Sequence, residues 1–252
     1  MKATYGAVQP AMKGAGYRRS GSTFRRIIEP DGLVHVVGFQ RGGFIQMTPG
    51  DLQVTTPYGG FTVNLGVWLP GVERALHPLI APADDSVRAK TIRAGSCHLQ
   101  SRLGTLLPVP ADYWWPVSED SEAGEIVAEA LSDYGLPWLG RFVSWDQILR
   151  QFEEGPANSS GTGGTARLLA MAMRLARSQH DEAERDFAEH LTYLATQPMD
   201  AISRAFSPNY SVAPFIESLA RHAVAHDFTV DVQAYAEQAR RRERDEAGHQ
   251  PK

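Results

Sequence analysis

The sequence predicts an α+β protein: an N-terminal helix packed on a mainly antiparallel sheet, followed by a helical C-terminal half. Two observations carry this. Apolar residues alternate with a period of two up to Pro116 and recur at helical spacing from Ser118 onward. The strictest alternation, Phe61-Thr62-Val63-Asn64-Leu65-Gly66-Val67-Trp68, lies between Gly59-Gly60 and Pro70-Gly71. It reads as a half-buried strand with Phe61, Val63, Leu65 and Val67 inward and Thr62, Asn64, Gly66 and Trp68 on a second, polar face.

In chain order, Val8, Ala11, Met12 and Ala15 sit at helical spacing, with Pro10 near the helix start and Gly14 and Gly16 at its end. Thr23 to Ile28 and Leu33 to Gln40 read as strands joined by an Asp31-Gly32 hairpin turn. Residues 41 to 60 and 70 to 96 are loop-like, and Cys97 to Leu107 is a further alternating strand with Leu99 and Leu103 inward. Ser121 caps a helix to Tyr134 with Ile126, Val127, Ala130 and Leu131 on one face, closed by Gly135-Leu136-Pro137. Ser144 caps another from Trp145 to Glu154. The stretch from Gly155 to Gly164 reads as a linker, and Ala166 to Leu194, Val212 to His226 and Val230 to Arg244 as three helices before a frayed end. The expected organisation is therefore a module over 1–117, helices packed on it over 118–155, a linker at 156–164 and a helical region over 165–252.

Composition narrows the function. With 42% hydrophobic and 21% charged residues the chain is an ordinary soluble globule. A net charge of -4 makes nucleic acid the less favoured partner and a basic protein the more favoured one. Cys97 is the single cysteine, which removes internal disulfides and cysteine-based zinc sites and suits a reducing cytoplasm. No apolar run resembles a signal peptide or a membrane span, so the expected location is cytoplasmic.

The polar sheet face is the leading candidate surface: Asn64, His98, Gln100 and Arg102, with Gln40; Arg25 is a further binding candidate, its planar fork suited to anions. Trp114 and Trp115 belong to a tryptophan-rich set that either lines an apolar groove or packs helices on the sheet, the second being the commoner use. Other motifs are weaker. Gly161-Thr162-Gly163-Gly164-Thr165 lacks the Lys-Ser/Thr ending of a phosphate-binding loop and reads as linker plus helix cap. Arg18, Arg19, Arg25 and Arg26 are a basic cluster, but strand alternation sends Arg25 and Arg26 to opposite faces. His180, Glu184, His190, His222 and His226 recur at helical spacings without a third metal ligand, and Cys97 and His98, being adjacent on a strand, do not form a nucleophile and base. No catalytic residue, metal or cofactor is expected.

Gly16-Tyr17-Arg18-Arg19, Gly21, Phe24, Phe39-Gln40, the FTVNLGV strand, Arg102-Leu103-Gly104 and Trp114-Trp115 together resemble a bacterial family, domain of unknown function family 4304. The resemblance runs from about Ala3 to Val117, with a weaker echo at Leu136-Pro137. It implies a small α/β module of stand-alone cytoplasmic proteins and supplies no catalytic residues. Comparable small families act as immunity partners of secreted toxins, an analogy at the level of the family. The expected function is thus a non-enzymatic protein-binding module, toxin-neutralising or defence-related. The alternative is an enzyme acting on a phosphorylated or nucleic-acid substrate through His98 and Arg102.

Overall fold

A six-stranded antiparallel sheet organises the first of two units in the computed structural model, which describes residues 1–42, 59–77, 84–109, 112–117, 122–153, 163–197 and 211–248. The units are Met1–Pro70 with Ala83–Arg150, and Gly71–Pro82 with Gln151–Lys252. The expected Ser121 cap, residues 43–58 and 78–83 of the two loop-like stretches and the linker up to Thr162 lie outside the described residues.

Helix α1 (Lys2–Gly14) opens the first unit, and Pro10 lies inside it rather than at its start. An interior proline costs about 3 kcal/mol. What offsets this is the stripe Thr4, Val8 and Met12, buried along α5 (Glu122–Ala130) while Pro10 stays exposed. The helix ends in a Schellman motif: Tyr17 N–H bonds to Met12 O at 2.9 Å and Gly16 N–H to Lys13 O at 3.0 Å, with Gly16 at φ +84°.

The strands follow as β1 (Arg18–Ser20), β2 (Thr23–Ile28), β3 (Leu33–Arg41), β4 (Gly60–Trp68), β5 (Leu99–Arg102) and β6 (Trp115–Pro116). They are ordered β1-β2-β3-β4-β5, with β6 also pairing with β4. The β2–β3 turn holds Gly32 at φ +68°, as an Asp-Gly turn requires. β1 lies in a stretch with no strand alternation and exists because it pairs with β2, Arg18 opposite Arg25. The expected strand from Cys97 to Leu107 is shorter: it ends at Arg102, and Leu103–Leu106 forms a helical turn, α4. A side chain at Gly104 would overlap the backbone of Tyr113, so the chain must pass there at close range.

On one sheet face Leu33, Val37, Phe61, Val63, Leu65 and Val67 are fully buried, the inward set the alternation predicts extended across β3. Aromatic rings cross this face in a row, Phe24 to Phe39 at 6.1 Å, Phe39 to Phe61 at 6.1 Å and Phe61 to Trp115 at 6.0 Å, and Tyr5 of α1 meets Phe39 edge-on at 5.1 Å. The helical cover beyond α5 continues without a break. Leu131–Gly135 forms a π-helical turn, Leu136 N–H bonding to Leu131 O, and leads directly into α6 (Leu136–Gly140). Gly135-Leu136-Pro137 therefore does not close the helix, because Pro137 falls in the first turn of α6, where its missing N–H costs nothing. Ser144 caps α7 (Trp145–Glu153) as expected, its Oγ accepting from Gln147 N at 3.3 Å, and Asp31 accepts from Trp145 N at 3.0 Å.

The second sheet face departs from the half-buried expectation. Thr62, Gly66 and Trp68 are buried, and Gly66 and Trp68 with Val34 and Val36 meet Ile92, Ala94 and Cys97 in a second small core. Ile92 follows α3 (Asp85–Thr91) directly, Ala94 lies in the short turn Ala94–Ser96 and Cys97 succeeds it, with Ala89 of α3 packed partly buried against them. A Cβ on Gly66 would stand 2.7 Å from both Cβ and Sγ of Cys97 and 3.0 Å from Ala94 O. β4 is thus sandwiched from both sides.

The second unit is helical. α2 (Val72–Leu76) packs on α8 (Gly163–Ala176), α8 on α9 (His180–Thr196), and α9 on both α10 (Val212–Ser218) and α12 (Val232–Gly248), with α11 (Ala220–Ala225) between the last two. The single helix expected over Ala166 to Leu194 breaks at Ser178, which holds φ 59° while Ser178 N and Gln179 N close onto Leu175 O and Arg174 O. Turning back there lays α9 along α8 and buries Met171, Met173, Phe187 and Leu191, which one straight rod would leave wet. The Val212–His226 helix divides similarly at Leu219, and the last helix extends past Arg244 to Gly248. No helix among the described residues is long and apolar enough to cross a membrane.

Two outcomes follow from this packing. Gly66→Ala should lower the urea unfolding midpoint by the equivalent of about 1–3 kcal/mol, the usual cost of overpacking. A midpoint equal to wild type would show that the Cys97 segment gives way freely. In the second unit His190 is 2% exposed, and neither ring nitrogen has a hydrogen-bond partner among the described residues. Burial, with smaller contributions from Arg167 and His222, pushes its imidazole down to about 4 from the ordinary 6.5. The unfolded chain therefore takes up the proton first. Stability from this residue is at full value above about pH 6.5 and is lost as pH falls toward 4. His190→Leu should flatten the fall in stability over that window, measured by urea titration at stepped pH.

Candidate functional site

The eight residues singled out in the sequence share one unit but not one surface. Arg25, on β2, sends Nε to Ile92 O at 2.7 Å and one terminal nitrogen to Thr91 O at 3.1 Å, tying the covering segment to the sheet. Gln100, on β5, donates to Cys97 O at 2.7 Å and Gly95 O at 3.3 Å, bracing the same segment from its other end. His98 Nδ1 accepts from Leu69 N at 3.0 Å, and its ring stacks on Trp68 with centroids 6.4 Å apart. Arg102 pairs with Asp112 at 2.6 Å and lies over the Trp114 ring at 5.7 Å, holding residues 112–114 down onto Gly104. Trp115 is 2% exposed and belongs to the aromatic row, as Trp68, Trp138 and Trp145 belong to the cores.

Asn64 and Gln40 remain at the open end of the second face. Asn64 Nδ2 donates to Gln40 Oε1 at 2.8 Å, and the pair floors a groove of about 740 Å³ together with Arg25, Lys90, Thr91 and Arg93. Of the sequence-predicted set, the structure brings Arg25, Gln40 and Asn64 together here and leaves His98, Gln100, Arg102, Trp114 and Trp115 elsewhere.

A second concavity was not legible. Leu107, Val109 and Tyr113 face Ile126, Glu129 and Tyr134 across a cleft of about 370 Å³, with Asp133 at its rim. Ile126, expected on the buried face of its helix, is 49% exposed, and Tyr113 is 44% exposed. Helical rotation explains the difference: Ala123, Val127, Ala130 and Leu131 fill the inward stripe, and Ile126 falls outside it. The π turn adds a residue to the helix at this point, a device that recurs at functional sites. Only an apolar residue beside Glu125 and Glu129 signals the cleft in the sequence.

The histidines of the second unit are also placed. His222 and His226 rings stack at 6.4 Å, His226 Nε2 bonds to Ala75 O at 2.9 Å, and His180 Nε2 bonds to His226 O at 2.6 Å. Glu184 accepts from Thr229 rather than facing a metal. No group of three or more His, Cys, Asp or Glu among the described residues is arranged to hold a metal ion.

The sheet, its inward helices and the tight passage at Gly104 coincide with a known sequence pattern: the model of the family described as Domain of unknown function (DUF4304) matches residues 8–141. The chain belongs to this family. No curated protein and no solved structure matches it. The DUF4304 match runs beyond Val117, where the sequence resemblance ends, to the end of α6. The physical reason is that α5, the π turn and α6 complete the cover of the inward sheet face, and without them Leu65 and Leu103 would lose Gly135, against which both stand. α8 and the helices after it lie outside the match.

Within the DUF4304 domain the lone cysteine is placed to be inert. Burial pushes the Cys97 thiol up to about 12, outweighing the opposing influence of Arg25 and Arg88. A thiol-reactive probe at pH 8 should leave the native protein unmodified and label one thiol in denaturant. Rapid labelling of the native form would show that the segment over the second sheet face opens readily.

Proposed function

We propose that this DUF4304 chain is a protein-binding module that engages a basic partner through the cleft between Tyr113 and Ile126. The observation that carries the reading is the cleft's composition. Large apolar side chains stand exposed around it, and the segment from Glu122 to Gly135 holds Glu122, Glu125, Glu129 and Asp133 with no Lys or Arg. Exposed Tyr and Ile are the anchors that dominate interface energy, and a one-sign acidic rim steers a basic partner and rejects acidic ones. The matching surface is an apolar side chain flanked by Lys or Arg. Toxin neutralisation is one activity that such binding performs, and in this reading the chain acts in the bacterial cytoplasm.

Support for binding over catalysis comes from His98 and Arg102. The enzyme reading asks one for proton transfer and the other for an anion clamp, whereas His98 Nδ1 is engaged by Leu69 N and Arg102 by Asp112.

The test is site-specific photocrosslinking from position 126 in host cells. The expected product is a heterologous adduct whose crosslinked peptide carries net positive charge. Glu129→Lys combined with Asp133→Lys should reduce its yield at least tenfold, as two rim charges can. No adduct, an adduct joining two copies of this chain, or a yield indifferent to the charge reversal would each reject the proposal.

A further inference from the structure

We infer that the groove floored by Asn64 and Gln40 is a binding site for a small phosphorylated, hydroxyl-bearing molecule, separate from the acidic cleft and independent of what that cleft binds. The groove is large enough: its volume of about 740 Å³ falls within the range of small-molecule sites. Its charge is one-sided. Among the described residues Arg25, Lys90 and Arg93 line it without any carboxylate, and none of the three forms an ion pair there. An adjoining cleft of about 430 Å³ shares Ser20, Arg25 and Lys90 and adds Arg18, Arg19 and Arg26. Arg18 shares the face of Arg25, so four cations, Arg18, Arg25, Lys90 and Arg93, border this side of a chain whose net charge is -4, while Arg19 and Arg26 belong to the opposite face. A field of that sign, in a recess, concentrates anions.

The arrangement of Arg25 specifies the anion further. Two of its nitrogens are anchored on the carbonyls of Ile92 and Thr91, so the guanidinium is held in place before any ligand arrives, while its remaining terminal nitrogen bonds nothing among the described residues. Such a fixed planar donor suits a phosphate oxygen, and exposed Lys90 and Arg93 stand beside it as further cations. Hydroxyl recognition is supplied nearby. The Asn64–Gln40 hydrogen bond uses one group of each amide, leaving the Asn64 oxygen as acceptor and the Gln40 NH2 as donor, and Ser22, Thr23 and Ser96 add hydroxyls. Among the described residues an aromatic platform is lacking: Phe39, the aromatic among the described lining residues, is only 7% exposed. Base stacking, which single-stranded nucleic acid uses for much of its affinity, has no support here. The chemistry that fits is a sugar or polyol phosphate.

Isothermal titration of the full chain at low salt, with inorganic pyrophosphate, glucose 6-phosphate and a single-stranded oligonucleotide as probes, tests the assignment. Both small probes should bind, and Lys90→Ala with Arg93→Ala should weaken them at least tenfold. Gln40→Ala should weaken glucose 6-phosphate severalfold and leave pyrophosphate unchanged. Amide NMR of the wild-type protein gives a readout free of any variant, with shifts on pyrophosphate addition expected at Thr91, Gly95 and Ser96. Failure of both small probes to bind, binding untouched by the double variant, shifts located elsewhere, or preference for the oligonucleotide would overturn the inference. None of these results bears on the Ile126 crosslink, so the two proposals fail separately.

Discussion

Everything in the sheet unit depends on burying one strand, Gly60–Trp68, from both sides. Its inward residues are covered by regular helices, whereas its outward residues are covered by an irregular segment that closes over Gly66 at a distance only glycine permits. Such double cover is usual for parallel strands between helix layers and less so for an antiparallel meander. It has a cost in unmet polar groups. Thr62 Oγ1 and Trp68 Nε1 are buried and find no partner among the described residues. Each costs about 1–3 kcal/mol, a loss the surrounding apolar burial must offset.

That cost explains the fasteners. The segment from Asp85 to Ser96 has little apolar area of its own: α3 contributes no buried residue, and Ile92, Ala94 and Cys97 carry the contact. Charge-assisted and amide hydrogen bonds supply the rest, Arg25 at one end and Gln100 at the other. Similarly, Arg102 and Asp112 hold residues 112–114 where no helix or long strand does so. Polar residues on this sheet therefore act first as clamps on irregular chain, and ligand chemistry is left to those at the open end.

This is why the fold was more legible than the site. Period-two and helical spacing are properties of regular elements, and they placed β2, β3, β4 and α7 within a few residues, while α1 begins well before the Pro10 expected near its start. They carry no information about an irregular cover, so Thr62, Gly66 and Trp68 read as an open face. They also miss what pairing imposes, as at β1, and what chain reversal gains, as at Ser178. At the candidate site, alternation correctly put Asn64, Gln100 and Arg102 on the same side of the sheet, a side that register also gives Arg25. It could not show that backbone carbonyls 66 and 67 residues away had already engaged Arg25. Ile126 failed for a simpler reason: an apolar residue next to a buried stripe looks like part of it until the rotation of the helix is known.

Net charge proved an equally coarse guide, because it averages two opposed surfaces of the same unit. Glu122, Glu125, Glu129 and Asp133 gather on and just past α5, while Arg18, Arg25, Lys90 and Arg93 gather around the exposed end of the second sheet face. Screening in physiological salt acts over about 8 Å, so neither cluster is cancelled by charges at the far side of a domain. A value of -4 thus describes the solubility of the chain, not what it binds. On the two proposed readings the consequence is a division of labour by sign within one sheet module, the apolar cleft with carboxylates suited to a cationic protein surface and the polar groove with arginines to a small anion. Each surface would repel the other's ligand, and that repulsion supplies specificity without additional contacts.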